Sequence, residues 1–418
     1  MDTKEKKELR AILFRKFGWT GLILLIYGLG RHITLPFIDN SALNYMMEKN
    51  HLLALSSGAT GANLTQFSLF SLGLGPWMSA MIIWQLLMMI KKLSFDKLSQ
   101  AESTVYQLVI TLAIAIIEAW GMIATMPIQN FDTNKILIVI TIMVSGSFFL
   151  VWLANMNMAN GMGSSVAIII YGMVGSIGQQ LLPLVSREIA KSGIFIWLVL
   201  IILLIVFLII FFSVILERAQ YRIYIQRILI DNIFSKQTYL PIKLNSGGGM
   251  AIMFGTSLLM VPSYLVAILI GYFPHNHIIA WFSKNISLSS NFGVTVYILI
   301  IFALAIAFSF INTDAEKIAE NLQKSGDYII GLRPGKQTEK SLRHYVLFFG
   351  IFGAFYTVLI AGIPLYIGVI YPNYRSTLMV PGFMMMMVGM ILTIIDQYLA
   401  IKRLHSYPAV FNMANLKE

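Results

Sequence analysis

Ten apolar runs dominate this chain of 418 residues, at roughly 17–34, 75–90, 106–126, 136–153, 164–184, 194–216, 251–273, 294–311, 345–365 and 378–400. A helix needs about 20 apolar residues to cross a bilayer, and in lipid every backbone N–H and C=O must find its partner within the protein. The runs therefore predict an all-α polytopic membrane protein with ten transmembrane helices. With 57% hydrophobic and 12% charged residues, no polar segment is long enough to bury a core of its own, so no separate soluble domain is expected. An even number of spans places both termini on one side. The charged N-terminus is followed by no cleavage site, so the first run reads as a retained helix rather than a signal peptide.

The net charge of +11 invites a nucleic-acid reading, but its placement argues otherwise. Lys and Arg crowd onto the segments sharing a side with the termini: 1–16, 91–104, 217–250, 312–344 and 401–418. Only Arg31, Lys49, Lys135, Arg187, Lys191, Lys284 and Arg375 fall on the opposite side. By the positive-inside rule both termini are cytoplasmic, and the charge is accounted for without DNA or RNA. Two cytoplasmic loops stand out by length, 217–250 and 312–344. They are either solvated topogenic loops or handles for a partner.

Between the first and second runs the pattern breaks. Gly61–Leu72 is small and polar, and Leu72-Gly-Leu-Gly-Pro76 then leads into an apolar piece that ends at Ile90. Pro76 lacks a backbone donor and the glycines loosen the chain, so a helix should break or start anew here. The alternative is an ordinary span kinked by proline. Broken backbone at membrane depth is tolerated only inside protein or beside a cavity, which places Gly61–Leu72 in or next to a hole. The ten spans also divide into two groups of five. In each, glycines precede the second span, Gly58 to Gly61 and Gly247 to Gly249, as in pseudo-symmetric repeats with a path between them. The expected units are 1–193, with spans one to five, and 194–418, with spans six to ten and both large cytoplasmic loops.

Few groups suit catalysis. There are no cysteines, and no histidine lies deep inside a span, His32 standing at the very end of the first run, so an intramembrane hydrolase would lack a base. His275 and His277 share a loop without a carboxylate neighbour, which is weak grounds for a metal site. Gly331–Thr338 (GLRPGKQT) mimics a phosphate loop, but Gln337 separates Lys from Thr and no strand is expected before it. No catalytic residue, metal or cofactor is predicted. Glu118 is the one carboxylate deep in a span, either functional or hydrogen-bonded to neighbouring helices; Asp396 lies near a span end and can reach water. What is abundant is apolar chemistry: Leu74 and Met78 share a helix face, as do Val166 and Ile170 after the turn Asn160–Gly163, and four methionines run from Met384 to Met387. Such side chains ordinarily face lipid or core, but converging on one pore they would form a flexible, dewetting collar.

Phe310–Gly326 (FINTDAEKIAENLQKSG) followed by Ile329–Thr338 (IIGLRPGKQT) closely resembles the SecY signature around its "GxRPGxxT" loop. Ser68–Leu87 (SLFSLGLGPWMSAMIIWQLL) looks like the plug and second-helix segment of that family. Pro241–Asn245 (PIKLN), the Asn160–Gly163 turn and the ending Tyr407–Phe411 (YPAVF) also fit. The resemblance runs in order along essentially the whole chain. It implies a protein-conducting channel of two five-helix halves hinged like a clamshell, with an hourglass pore, a plug and a side gate to lipid. The gate would lie between spans two and three and spans seven and eight.

Carried over by position, the resemblance puts the plug on Gly61, Ala62, Asn63, Leu64, Thr65, Gln66, Phe67, Ser68, Leu69 and Phe70, extending to Leu72. The pore ring falls on Leu74, Met78, Val166, Ile170, Met253 and Met386. A SecA-type motor ATPase would dock on Arg218, Arg222, Arg227, Arg333 and Lys336, and any ATP hydrolysis would be the motor's. Partners implied are that motor, SecE- and SecG-like small subunits or accessory equivalents, an unfolded preprotein and membrane lipid. The site implied is the bacterial cytoplasmic membrane.

The chain departs from the housekeeping pattern at Ile33–Phe37, at Gly28 in place of an arginine, in the short loop Lys91–Thr104, at Tyr221 in place of a basic residue and at Ile330 in place of a proline. This drift, with a methionine-rich collar, is similar to the accessory SecY of Gram-positive bacteria, whose members export serine-rich glycosylated adhesins with their own SecA. A housekeeping SecY is the alternative, and a secondary transporter with inverted repeats is a third reading. A transporter needs a polar or ionisable midplane site, of which the sequence offers only Glu118.

Overall fold

The computed structural model describes residues 3–37, 60, 67–90, 98–124, 133–175, 195–227, 238–372 and 375–404. A helix stands at each of the ten predicted spans: α1 (Thr3–Gly30), α2 (Gly75–Met89), α3 (Gln100–Ala124), α4 (Thr133–Asn160), α5 (Ser164–Gly175) and α6 (Phe195–Arg218) in the first six. After the strands β1 (Gln220–Arg227) and β2 (Tyr239–Lys243) come α7 (Gly248–Tyr272), the short α8 (His277–Asn285), α9 (Asn291–Asn312) and α10 (Ala315–Ser325). Strand β3 (Asp327–Ile329) leads to α11 (Lys336–Thr357), then α12 (Arg375–Leu378) and α13 (Val380–Leu404). Among the described residues, seven helical stretches are long and apolar enough to cross a membrane. The expected boundary between residues 193 and 194 lies outside them.

The break before α2 follows from its residues. Gly73 adopts φ 59°, a left-handed conformation that glycine takes without strain. Pro76 sits in the first turn of α2, where a missing N–H costs nothing. Two later prolines act differently. Pro262 is held inside α7. Before Pro364 the helix following α11 widens into a π turn over Val358–Gly362 and then resumes as Ile363–Ile370, a usual response to a lost i→i−4 bond.

In α3 the buried residues Thr111, Ile114, Ala115, Glu118, Ala119 and Met122 recur at helical spacing and form one stripe. That stripe sets α3 against α2 and α7, while α9 packs on both α7 and α11. Gly121 lets α3 come close to α7: a Cβ there would lie 2.4 Å from the Cβ of Tyr264. The main core is continuous across the helices, and includes Tyr27, Met78, Leu150, Ile252, Tyr297 and Phe383.

The described spans are helical, but the two large loops add a feature that hydropathy did not reveal. They join in one three-stranded antiparallel sheet of order β2-β1-β3, with Ile223 opposite Leu240 and Ile225 opposite Ile329. Ile223, Ile242, Ala315, Ile329, Leu342 and Val346 form a small core beneath it, separate from the membrane core.

Candidate functional site

Three of the six expected ring residues meet. Val166 of α5, Met253 of α7 and Met386 of α13 line one cavity of about 380 Å³. Gly249, Met250 and Met390 continue its apolar wall, and Glu217, Lys243, Asn312 and Asp396 supply polar groups beside β2. An adjoining space of about 420 Å³ shares Glu217, Lys243 and Asp396 and adds Arg218, Tyr239 and Arg403. The cavity is therefore polar toward the sheet and apolar among the methionines. Leu74 and Met78 are fully buried in the main core, and Ile170 is half-buried against it. The Leu74 N–H donates to the Thr60 carbonyl at 2.9 Å, and the Leu74 carbonyl accepts the Met78 N–H at 2.9 Å.

α7 reaches the cavity through its glycines. A Cβ on Gly249 would lie 3.1 Å from the Cα of Met386, so this residue lets α7 and α13 approach closely where Met253 and Met386 line the same cavity. Just before α7, buried Asn245 donates through Nδ2 to Glu217 Oε2 at 3.0 Å, tying the end of α6 to the start of α7. Sequence reading missed this pair, which has no spacing signal.

The Asn160–Gly163 turn is held by Asn157. Its Nδ2 donates to the Met162 carbonyl at 2.9 Å and the Ser164 carbonyl at 2.8 Å, and its Oδ1 accepts from Thr20 Oγ1 at 2.9 Å. Gly163, at φ 82°, then donates its N–H to Gln397 Oε1 of α13 at 2.8 Å. The start of α5 is thereby fixed to α13 beside the cavity.

Of the expected plug, Gly61 to Gln66 lie outside the described residues, whereas Phe67, Ser68, Leu69 and Phe70 are fixed in place. Thr34 and Ser68 form an antiparallel bridge, with Leu35 N–H donating to the Phe67 carbonyl at 2.8 Å and Leu69 N–H to the Ile33 carbonyl at 3.0 Å. The Phe70 ring stacks between Tyr27 and Phe149, with centroids 5.8 and 6.1 Å away. Gly146 lies so close to the Leu69 carbonyl that a Cβ would stand 2.0 Å from it. These four residues are an anchored stalk on α1 and α4.

The five expected docking residues divide by partner. Arg218 lies 3.8 Å from Asp396, Arg227 lies 3.6 Å from Asp327, its register partner on β3, and Arg222 covers the Tyr239 ring at 4.8 Å. Arg333 and Lys336 are exposed and form no ion pair among the described residues. Their turn is nonetheless rigid: Gly331 and Gly335 take φ 84° and 97°, and buried Thr338 donates through Oγ1 to the Arg333 carbonyl at 2.9 Å. Tyr221, on the same sheet, stacks on Tyr345 and Phe349 of α11. On α10, Lys324 Nζ lies 2.7 Å from Glu320 Oε1, a hydrogen bond that holds this carboxyl below its usual range.

Glu118 is buried where α3 meets the start of α2. Its Oε2 would lie 3.4 Å from a Cβ on Gly75, and its Oε1 meets no donor among the described residues. It is not among the residues lining the cavity.

The SecY family profile matches residues 68–395. The chain is 35% identical over 411 residues to the accessory Sec system protein translocase subunit SecY2 of Leuconostoc gelidum subsp. gasicomitatum, covering 96% of this chain and 97% of that one. It is also 35% identical over 396 residues to the subunit of the same name from Streptococcus sanguinis, covering 94% and 96%. Its fold matches a solved structure of a protein conducting channel with TM-score 0.68 at 19% identity, covering 96% of this chain and 95% of that one. It also matches Sec61 in the canine ribosome-channel complex, with TM-score 0.63 at 17% identity and the same coverage. The fold is that of the ten-helix polytopic channels, and the chain belongs to the SecY family.

Proposed function

We propose that this chain is the protein-conducting channel subunit of an accessory Sec translocase, exporting unfolded, serine-rich glycosylated preproteins across the bacterial cytoplasmic membrane. The observation that carries the reading is the cavity whose apolar end is Val166, Met253 and Met386 and whose polar end lies beside the sheet. A path for many different side chains needs an apolar constriction rather than a binding site, and methionine's unbranched thioether repacks around varied neighbours. In this reading Leu74, Met78, Val166, Ile170, Met253 and Met386 close the idle pore by dewetting it. Gly61–Gln66 would act as the plug on the stalk Phe67–Phe70. The halves would be 1–193 and 194–418, parting at the seam where α2 and α3 meet α7, with α9 beside it.

A SecA-type motor, an accessory one by this reading, supplies the ATP hydrolysis and docks on the sheet and the Arg333 turn. Both termini would face the cytoplasm with that sheet. SecE- and SecG-like subunits or their equivalents complete the complex. The near full-length likeness to accessory subunits favours an accessory over a housekeeping role.

Reconstituted vesicles holding the chain and its small subunits test the proposal, given motor, ATP and a tagged precursor. Protease-protected precursor that requires ATP is the expected result. ATP-independent uptake of a small solute, with no precursor protected, would indicate a transporter. Motor choice separates the two channel readings: preference for an accessory motor is expected, since specificity is a difference of affinities. Equal affinity for a housekeeping motor, with rescue of a housekeeping SecY deletion, would favour the alternative.

A further inference from the structure

Helix α8 follows α7 on the face opposite the sheet, since α7 starts beside β2 and its 25 residues rise through a membrane thickness. It has only nine residues, and none of them is buried. Isolated helices of this length are marginal in water, yet both ends are fixed. Asn276 caps the first turn by accepting the Ile278 N–H at 3.0 Å, and Ile286 N–H closes the last turn on the Phe282 carbonyl at 2.8 Å.

The faces of α8 are sorted. Ile279, Ala280 and Ser283 are half-buried toward the protein. The open side carries Ile278, Trp281 and Phe282, with exposures of 68%, 49% and 38%, and beside them Lys284, the helix's one charged residue. Trp281 and Phe282 meet each other and Phe292 edge to face, so the apolar side is one preformed aromatic surface. α8 packs against α7, a helix that crosses the membrane and whose last turns also expose Leu265, Leu269 and Tyr272, followed by exposed Phe273.

We propose that α8 is an interfacial anchor lying in the lipid headgroup region of the leaflet opposite the sheet. Trp281, Ile278 and Phe282 enter the acyl boundary, and Lys284 turns toward headgroup phosphates. An exposed helix face bearing Ile, Trp and Phe, with Lys284 at its edge one turn beyond Trp281, suits that boundary. The packing of α8 on the end of a membrane-crossing helix that itself exposes apolar side chains there makes lipid, rather than another protein, the occupant. The anchor would fix the membrane depth of α7 through the four-residue link between them.

The chain has no cysteine, so a single introduced one is its only thiol. Ile278→Cys and Lys284→Cys, each spin-labelled in the full chain in vesicles of phosphatidylglycerol and phosphatidylcholine, report collisions with dissolved oxygen and with a water-soluble nickel chelate. The label at 278 should collide mainly with oxygen and the label at 284 mainly with nickel. Equal nickel access at both positions would place the face in water and overturn the anchor. A label at 278 shielded from both quenchers would mean that protein covers it, and would overturn it equally. Should a labelled variant fail to fold, brominated lipid provides the second measurement. Wild-type tryptophan emission should lose a quenched component in Trp281→Phe, and unchanged quenching would reject the proposal.

Discussion

The apolar end of the cavity and the three-stranded sheet lie within one molecule but are built on opposite terms. Val166, Met253 and Met386 come from three helices, and each needs only to be apolar and to arrive at one level. The sheet gathers strands from two loops with α7, α8 and α9 between them, and needs register: Arg227 opposite Asp327, Ile225 opposite Ile329. The proposed pore should therefore tolerate exchange among apolar side chains and fail on polarity, whereas the proposed docking face should fail on single charges and single turns.

Arg333→Glu is the sharpest test of the second half of that statement. The Arg333 backbone is held by Thr338 and by a 3.4 Å contact from its N–H to Gln337 Oε1, so the turn survives the change while the exposed charge reverses. Motor-stimulated export should fall to background with normal membrane insertion and normal ion tightness. Export at the wild-type level would remove Arg333 from the docking face.

The converse variant pairs Met78→Ser with Met386→Ser. Both side chains are buried, and if they close the pore as proposed, two hydroxyls there favour water where methionine excludes it. Resting ion conductance in planar bilayers should rise, with motor binding unchanged. Replacing both with leucine should restore the seal. Deleting 62–66 should raise conductance further, whereas a deletion through Phe70 also strips Phe67 and Phe70 from the core and should lower the yield of folded protein. A double serine variant that seals like wild type would end the collar assignment.

A third variant acts beneath the sheet. Ile223→Ala removes most of a buried side chain from the small core it shares with Ile242, Ile329 and Leu342, a loss of about 2–3 kcal/mol on the usual scale for such truncations. Hydrogen exchange should quicken over 220–227 and 327–329 and motor affinity should fall, while the seal stays intact. Leakage in this variant would mean that sheet and pore are not separable, and would break the comparison.

How much of this was legible in the sequence follows the same division. Span positions could be read because a bilayer forces each crossing segment to satisfy its own backbone, and Pro76 marked the helix start for a local reason. The sheet was present in the alternation Tyr221-Arg-Ile-Tyr-Ile225, but averaging over a span-length window erases a period of two. Nothing in sequence spacing pairs Glu217 with Asn245, or Leu35 with Phe67, because these contacts depend on where whole helices come to rest. The resemblance supplied the docking arginines as one set. It could not show that three of them were already engaged with Asp396, Tyr239 and Asp327.

That engagement sets the smallest effect. Arg222 lies over the Tyr239 ring, across the β1–β2 pair from its register partner Pro241. An exposed cation–π contact of this kind is worth about 0.5–1 kcal/mol, and the ion pairs of Arg218 and Arg227, at half-exposed side chains, are worth no more. A motor that grips these guanidiniums must first share them with their partners, so each contributes less than Arg333, which has no ion pair among the described residues to give up. Arg218→Ala, Arg222→Ala and Arg227→Ala should each weaken motor binding by less than about tenfold, and their effects should add because the three sites share no partner. Titration of the single and triple variants against the motor checks this. If Arg222→Ala alone matched the loss in Arg333→Glu, the docking face would be centred on the sheet and not on the Gly331–Thr338 turn.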